Sequence, residues 1–447
     1  MPCTDKEVAV KQSKMRKALK WAVVPIAIGS LLALSACTST TPSTSGDKFS
    51  GNLNVQVYGD WPFVKTDAAL FMKAHPKANI KVGVITNDTL RSSGGRLFTS
   101  SDSPDVVSYT LQQTQMQSWI KAGALLPLDD LWKSADIAST VSKDSATQST
   151  ADDGHKYAVP LGLTLLPFGF YNTDLWSKAG ATAPDSTTHE FASLDEFNSD
   201  LAKVKASGVT PFSAEGDWSE YAFSSLIASS CGTTKYVDIS TNWKKGADSA
   251  PKYTDDCVIK AIDQWDSWGK AGYFPEGLAS VTNAQDQALF DTQKSAMWLA
   301  GSWVPPVYTP KFNWDWSLLP SLGGGRSPIG TSLDSFLVPK GAKNPALAKS
   351  FISYLIEKST LEGGMGRIPA RTDLDISKVI STPVTQSIYA ALPQATTAPA
   401  WFTLIPPSVE AAFLQSVVSG SMTGSISSED AAKALQAASD QYRSSLG

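Results

Sequence analysis

The sequence predicts an α/β protein of two lobes behind an export leader. Three observations predict it. The chain has 447 residues, more than one ordinary domain holds, and its 42% hydrophobic and 18% charged residues are the mix of a soluble globular protein. Strand and helix patterns alternate between Leu53 and Thr110, the signature of a lobe built on a mostly parallel sheet. A short apolar run near the N-terminus stops at Cys37.

The leader comes first. Lys11, Lys14, Arg16, Lys17 and Lys20 precede WAVVPIAIGSLLAL, Trp21–Leu34. Those 14 apolar or small residues suit a signal core and are short for a bilayer span. Leu34, Ser35, Ala36 and Cys37 then resemble the bacterial lipobox. In lipoproteins the chain is cut just before that Cys and its thiol is diacylated. One acyl chain holds only marginally, whereas two or more anchor a protein stably. The resemblance implies a signal peptide over residues 1–36 and lipidation at Cys37. Residues 37–47, rich in Ser, Thr, Pro and Gly, would be a flexible tether. The protein is then expected outside the cytoplasm, on the outer face of the cell membrane. The alternative is an ordinary signal peptide with an incidental Cys, and Met1 and Met15 both stand as possible starts.

Along the mature chain, LNVQVYG (Leu53–Gly59) alternates apolar and polar residues and reads as a strand. A helix is expected from about Thr66 to Ala74, ending at His75-Pro76. Asn79–Ile85, with Ile80, Val82 and Val84 alternating, and Pro104–Thr110 read as the next strands. YAVPLGL and FGFYNTDLW open the second lobe. Ala192–Gly208 carries Ser193 as N-cap, Glu196 at the capping-box position and Gly208 as stop. Asn344-Pro345 begins a helix through Lys358, with Leu347, Phe351 and Leu355 on one stripe. A last helix runs from Ser428 to about Tyr442, acidic in its first turn.

Composition narrows the function. The formal net charge of −4 implies no nucleic-acid or broad anionic-membrane surface. Three His residues weigh against a metal site or a His-dependent catalyst, and His75, His155 and His189 all sit in polar, turn-like contexts that read as surface. Fourteen Trp residues suit a protein that offers flat apolar faces to a ligand, although Trp also fills cores. Cys231 and Cys257 are the only cysteines of the mature body. In an oxidising compartment they are expected to form a disulfide, with two free thiols as the alternative.

Five blocks, in order, carry a family resemblance. They are Ser103–Leu131 (SPDVVSYTLQQTQMQSWIKAGALLPLDDL), Gly154–Pro184 (GHKYAVPLGLTLLPFGFYNTDLWSKAGATAP), Leu289–Trp303 (LFDTQKSAMWLAGSW), Ser332–Leu355 and Gly366–Thr372 (GRIPART). Together they resemble the extracellular solute-binding proteins of bacterial ABC importers, the group that includes maltose-binding protein. Gln293 stands where that family usually has Gly. No one block is specific; their order and spacing are. The resemblance implies a two-lobe periplasmic-binding-protein-like fold, α/β throughout, with a ligand cleft between lobes joined by a hinge. It assigns about 48–163 plus 320–367 to the N-terminal lobe and 164–319 plus 368–447 to the C-terminal lobe.

A sugar offers a weakly apolar C–H face, which sits on an aromatic ring, and a hydroxyl edge, which needs paired donors and acceptors. Residues of both kinds at expected cleft positions are the ligand candidates. Trp303 ends the AGSW block, where the family places a cleft-wall aromatic; core packing is its alternative. Tyr58, Asp60 and Trp61 follow the first strand, where YGDWP also reads as a capped turn. Tyr109 follows the third strand. Glu215, Asp217 and Trp218 share one loop, or else sit as acids at a helix N-terminus. Asp334 sits in GTSLDSF, near an expected inter-lobe strand. Arg367 is a hydroxyl donor or an inter-lobe salt bridge, and Trp401 lies in the Pro-flanked PAWFTLIPP. Phe168 is expected to pack the hinge.

These readings predict a monomeric, lipid-anchored receptor that captures a mono- or oligosaccharide and delivers it to a membrane permease. No cofactor, metal or catalytic residue is expected. A non-sugar solute such as a polyamine is the alternative within the fold, since Glu215, Asp217 and Trp218 would also suit it. An exported glycoside hydrolase is the rival from another class, but the chain has no G-x-S-x-G elbow, H-E-x-x-H or P-loop. A surface adhesin or signalling receptor is the third class.

Overall fold

The computed structural model describes residues 48–446, apart from 59–60, 307, 359–367 and 376–381. The leader, Cys37, Asp60 and Arg367 therefore lie outside the described residues. Eleven strands are described: β1 (Gly51–Tyr58), β2 (Ala78–Ile85), β3 (Val106–Thr110), β4 (Ala158–Leu166), β5 (Phe168–Asn172), β6 (Thr210–Ser213), β7 (Ser295–Ala300), β8 (Trp314–Ser317), β9 (Ile329–Leu337), β10 (Ile368–Pro369) and β11 (Thr397–Pro399). They form two sheets. The first has the order β10-β4-β9-β3-β1-β2, with β11 also on β9; the second has the order β6-β7-β5-β8.

The first sheet follows from the alternation read in the sequence. β1 pairs in parallel with β2 and β3, because the helices Pro62–Ala74 and Asn87–Leu97 return the chain to the same end. The first of these helices starts earlier than expected, with Pro62 in its first turn. Leu53, Val55 and Val57 are buried beneath Phe71, Leu347, Phe351 and Leu355. β3, β4 and β10 then join antiparallel neighbours, with β9 at the centre. On β2 the alternation is only half used. Ile80 is buried, whereas Val84 is 58% exposed on β2, the last strand of the sheet.

The second core is aromatic. The helix Asp256–Lys270 buries Val258, Ala261, Ile262, Trp265 and Trp268 on one stripe, against β6 and β7 residues Phe212 and Met297. Each buried indole removes about 150–250 Å² from water, about 4–6 kcal/mol before entropy is counted. Ser193 caps the helix Leu194–Ala206 by accepting the Glu196 N–H at 3.1 Å, and Gly208 ends it at φ +87°, as its sequence predicts. The Cys231 and Cys257 sulfurs are bonded, with Cα atoms 5.1 Å apart, tying the end of the helix Glu220–Cys231 to the start of Asp256–Lys270.

The chain passes between the sheets at three adjacent places. β4 ends at Leu166 and β5 begins at Phe168. β8 ends at Ser317 and β9 begins at Ile329, which is level with Leu166 through the Gly330 pairing. β11 lies on Ile329–Thr331, and from there Trp401 enters the second core. Thus β10 and β11 sit in the first sheet, although the family division places everything after 367 with the second lobe. Phe168 packs beside these crossings, on Phe170 and Trp316. His189 departs from its surface expectation. It is 8% exposed, stacks on Trp316 with centroids 4.0 Å apart, and meets Ser387 Oγ at 3.0 Å. Among the described residues, no helix is long and apolar enough to cross a membrane.

Candidate functional site

A cavity of about 380 Å³ lies between the two sheets. That volume is at the small end of the usual range for small-molecule sites, about 300–1,000 Å³. Tyr58, Thr110 and Gln112 reach it from the carboxyl ends of β1 and β3, where open α/β sheets present their ligands. Arg91 reaches it from the helix Asn87–Leu97, whose first turn Thr86 caps by accepting the Thr89 N–H at 3.2 Å.

The floor is strand β9. Asp334 is 2% exposed and accepts from Thr110 Oγ1 at 2.7 Å and from Thr164 Oγ1 at 2.9 Å. β9 pairs with β3 on one side and β4 on the other, so one register delivers both hydroxyls to one carboxylate.

The opposite wall is one short segment. Glu215, Asp217, Trp218, Glu220 and Tyr221 follow β6 through a 3₁₀ turn, Asp217–Ser219, into the helix Glu220–Cys231. Gly216 makes that path possible. A Cβ there would come within 2.7 Å of the backbone carbonyl oxygens of Leu278 and Ala279. Trp303 and Phe402 complete the wall. Trp218 and Trp303 meet edge to face, with centroids 5.6 Å apart at 86°, and Tyr221 meets Trp303 at 6.0 Å and 77°. Tyr221 also lies 5.4 Å from Phe402. Trp303 folds back over Gly301, where a side chain would collide with the indole.

The electrostatics are acidic. Arg91 donates from Nη1 and Nη2 to Glu410 Oε1, both at 3.1 Å, and Nη2 lies 3.0 Å from Oε2. Glu410 is on the helix Pro407–Ala412, which packs into the second core, so this pair spans the cavity. Burial works against the Arg91 charge, but Glu410 more than offsets it and the guanidinium is held above its ordinary value. Glu220 is 2% exposed, and burial, then the Glu410 carboxylate, push it well above the usual carboxylate range. Burial, followed by Asp286 and Asp217, raises Glu215 to about 7. Asp286 behind it rises to about 6 through burial, despite accepting from Trp298 Nε1 at 3.0 Å. Glu215 Oε2, Glu220 Oε2 and Arg91 Nε are buried without a hydrogen-bond partner. The set can accept and donate many hydrogen bonds to a polar guest. Among the described residues, no group of three or more His, Cys, Asp or Glu is placed to hold a metal ion.

Of the residues chosen from the sequence, the fold brings Tyr58, Glu215, Asp217, Trp218, Trp303 and Asp334 together around the cavity. Three others are not on its wall. Trp61 packs edge-on against Phe336 in the first core, because it immediately precedes the helix Pro62–Ala74 and turns inward under the sheet. Tyr109 is 1% exposed and stands behind the wall, donating to Gln112 Oε1 at 3.0 Å. Trp401 is 1% exposed in the second core, between Phe223 and Phe413, and its Nε1 lies 3.3 Å from Tyr253 Oη. Its neighbour Phe402 faces the cavity instead. Arg91, Glu220, Tyr221, Phe402 and Glu410 were missed. Glu220 and Tyr221 belong to the same EGDWSEY segment and were legible there, whereas Arg91 and Glu410 are 319 residues apart with no local signal.

A larger groove, about 880 Å³, runs between Gln117, Lys121 and Asp152 on one side and Lys244 and Tyr442 on the other. Its carboxylates are engaged and exposed: Gln117 Nε2 donates to Asp152 at 2.7 Å, and Tyr157 to Asp153 at 2.9 Å. The smaller cavity, with buried unpartnered polar atoms, is the candidate site.

Residues 59–360 match the family model described as bacterial extracellular solute-binding protein. The chain is similar to an uncharacterized ABC transporter extracellular-binding protein of Pyrococcus horikoshii, 25% identical over 350 residues that cover 75% of this chain and 76% of that one. In structure it is similar to a chitin oligosaccharide binding protein, with TM-score 0.72 and 22% identity, covering 88% of this chain and 99% of the other. It is also similar to AcbH, a bacterial solute receptor with an exclusive preference for β-D-galactopyranose, with TM-score 0.73 and 18% identity, covering 89% and 100%.

Proposed function

The chain belongs to the bacterial extracellular solute-binding proteins, which serve ABC transporters and are not enzymes, and from that premise we propose that it captures a mono- or oligosaccharide and hands it to a membrane permease. One observation carries the carbohydrate reading. Aromatic faces from Trp218, Tyr221 and Trp303 stand beside buried carboxylates and a guanidinium in a cavity sized for one or two sugar rings. The chitin oligosaccharide and galactopyranose for which similar structures are named support the same class.

The mechanism needs no bond chemistry. An open form receives the solute on one lobe, and closure brings the second wall onto it, so that contacts from both sides favour the closed state. The crossings at 166–168, 317–329 and 399–401 are the hinge in this reading, and the Arg91–Glu410 pair forms as the lobes meet. A diacyl group on Cys37 keeps the receptor at the outer face of the cell membrane, as a monomer on its tether, beside the permease. Asp60 and Arg367 remain candidate ligand contacts beyond the described residues.

Thermal unfolding against a panel of sugars, polyamines and amino acids tests the solute class. A ligand at 100 times its Kd adds about 2.7 kcal/mol and raises Tm. A rise with a sugar and with no other class is the expected result; a rise with a polyamine or amino acid alone rejects the carbohydrate. Membrane fractionation of a Cys37→Ser variant tests the anchor, with release from the membrane expected.

A further inference from the structure

Five carboxylates line the cavity and one guanidinium answers them. Two of the five are already satisfied. Glu410 holds Arg91 through both oxygens, and both oxygens of Asp334 accept from threonine hydroxyls. Glu215, which keeps a hydrogen bond from Asn283, Asp217 and Glu220 remain, all within six residues of one wall. Glu215 Oε2 and Glu220 Oε2 are buried with no hydrogen-bond partner, and Glu220 is 98% buried as a residue. Buried acids of this kind hold a proton beyond the usual carboxylate range, and a cation placed against them stabilises the ionised form, which a neutral hydroxyl does far less.

The rings around these acids are not a single flat platform. Trp218 and Tyr221 both stand nearly edge-on to Trp303, at 86° and 77°. Faces in several directions beside carboxylates are how proteins stabilise a cationic nitrogen, which draws on the ring quadrupoles as well as the negative charge. An ammonium also carries three donors, enough for both orphaned oxygens. On the other side of the cavity the requirement is opposite. Arg91 Nε is a buried donor without a partner, and with its charge already met by Glu410 an uncharged oxygen is enough to satisfy it.

We propose that the solute is an amino sugar: a pyranose whose free, cationic amino group sits against Glu215, Asp217 and Glu220, and whose oxygens face Arg91. This rests on the carbohydrate reading above and sharpens it. A polyamine would satisfy the acidic wall but leave Arg91 Nε facing a cation; a neutral sugar would do the reverse.

Calorimetric titration of the full chain in mild detergent separates the possibilities. The probes are D-glucosamine, D-galactosamine and the β-1,4 glucosamine dimer, each against its N-acetyl and parent neutral sugar, with spermidine as a cation without a sugar ring. At least one amine should bind ten times more tightly than its N-acetyl and neutral partners. Glu220→Gln, and independently Glu215→Gln, should narrow that ratio below threefold; circular dichroism confirms that each variant is folded. A neutral or N-acetyl sugar that binds as tightly as its amine overturns the amino-sugar proposal and leaves the carbohydrate reading standing. Binding of spermidine with no sugar overturns both. Silence from every probe, or an amine preference untouched in both variants, also overturns the proposal.

Discussion

The Gly301–Trp303 contact gives a sharp test, because it separates packing from backbone strain. Gly301 is outside the positive-φ region, so alanine is acceptable to its backbone. The added methyl would lie within 2.6 Å of three atoms of the Trp303 ring, whereas carbon atoms rest at about 3.5–4.0 Å. The indole must therefore move by an ångström or more, out of its edge-on contacts with Trp218 and Tyr221. Overpacking of this kind destabilises by about 1–3 kcal/mol. Gly301→Ala should lower the urea midpoint accordingly, and should weaken ligand binding by displacing the ring. In a Trp303→Ala background those ring atoms are gone, so the cost of the methyl should shrink by most of that amount. The four proteins form a double-mutant cycle with an expected coupling of about 1–3 kcal/mol. If the two substitutions add to within about 0.5 kcal/mol, the collision is not what Gly301 relieves, and the account of how Trp303 is positioned is refuted.

Glu410→Gln removes the charge that compensates Arg91 and should destabilise the protein by about 1–3 kcal/mol, between the surface and buried limits for ion pairs; chemical unfolding measures it, and no change would mean that the pair is solvent-screened. Glu215 is held near 7 in the fold against an ordinary 4.5, so the folded state binds the extra proton and stability should fall as pH rises from about 4.5 to 7. Asp286 and Glu220 act in the same direction, and Glu215→Gln should flatten the slope of Tm against pH across that window. The disulfide closes a separation of 26 residues, for which loop-closure entropy gives about 3.5 kcal/mol; Cys231→Ser with Cys257→Ser should lower unfolding free energy by about that much, and an unchanged midpoint would show that the crosslink constrains little.

Much of the frame was legible in the sequence because it is written in local periods. Leu53, Val55 and Val57 alternate and face one core; Leu347, Phe351 and Leu355 repeat at helical spacing and cover them. Ser193 and Gly208 punctuate a helix where their chemistry requires. The order of the blocks from Ser103 to Thr372 then identified the two-lobe family. The acidic-aromatic run from Glu215 to Tyr221 was legible for the same reason, since its residues are neighbours in the chain as well as on the wall.

The tertiary structure alone decided which aromatic ring faces the cavity. Trp61, Trp303 and Trp401 look alike in sequence, each beside a turn or a proline, yet only Trp303 reaches the cavity. Its placement depends on a missing side chain at Gly301, while Trp401 enters the second core one residue before Phe402 turns to the cleft. The pairing of Arg91 with Glu410, and of Asp334 with both Thr110 and Thr164, depends on how two helices and three strands are brought together from distant parts of the chain. Periodicity and capping act over a few residues, so they determine elements. The cavity is assembled across sheet registers and chain crossings that span hundreds of residues, and only packing selects those.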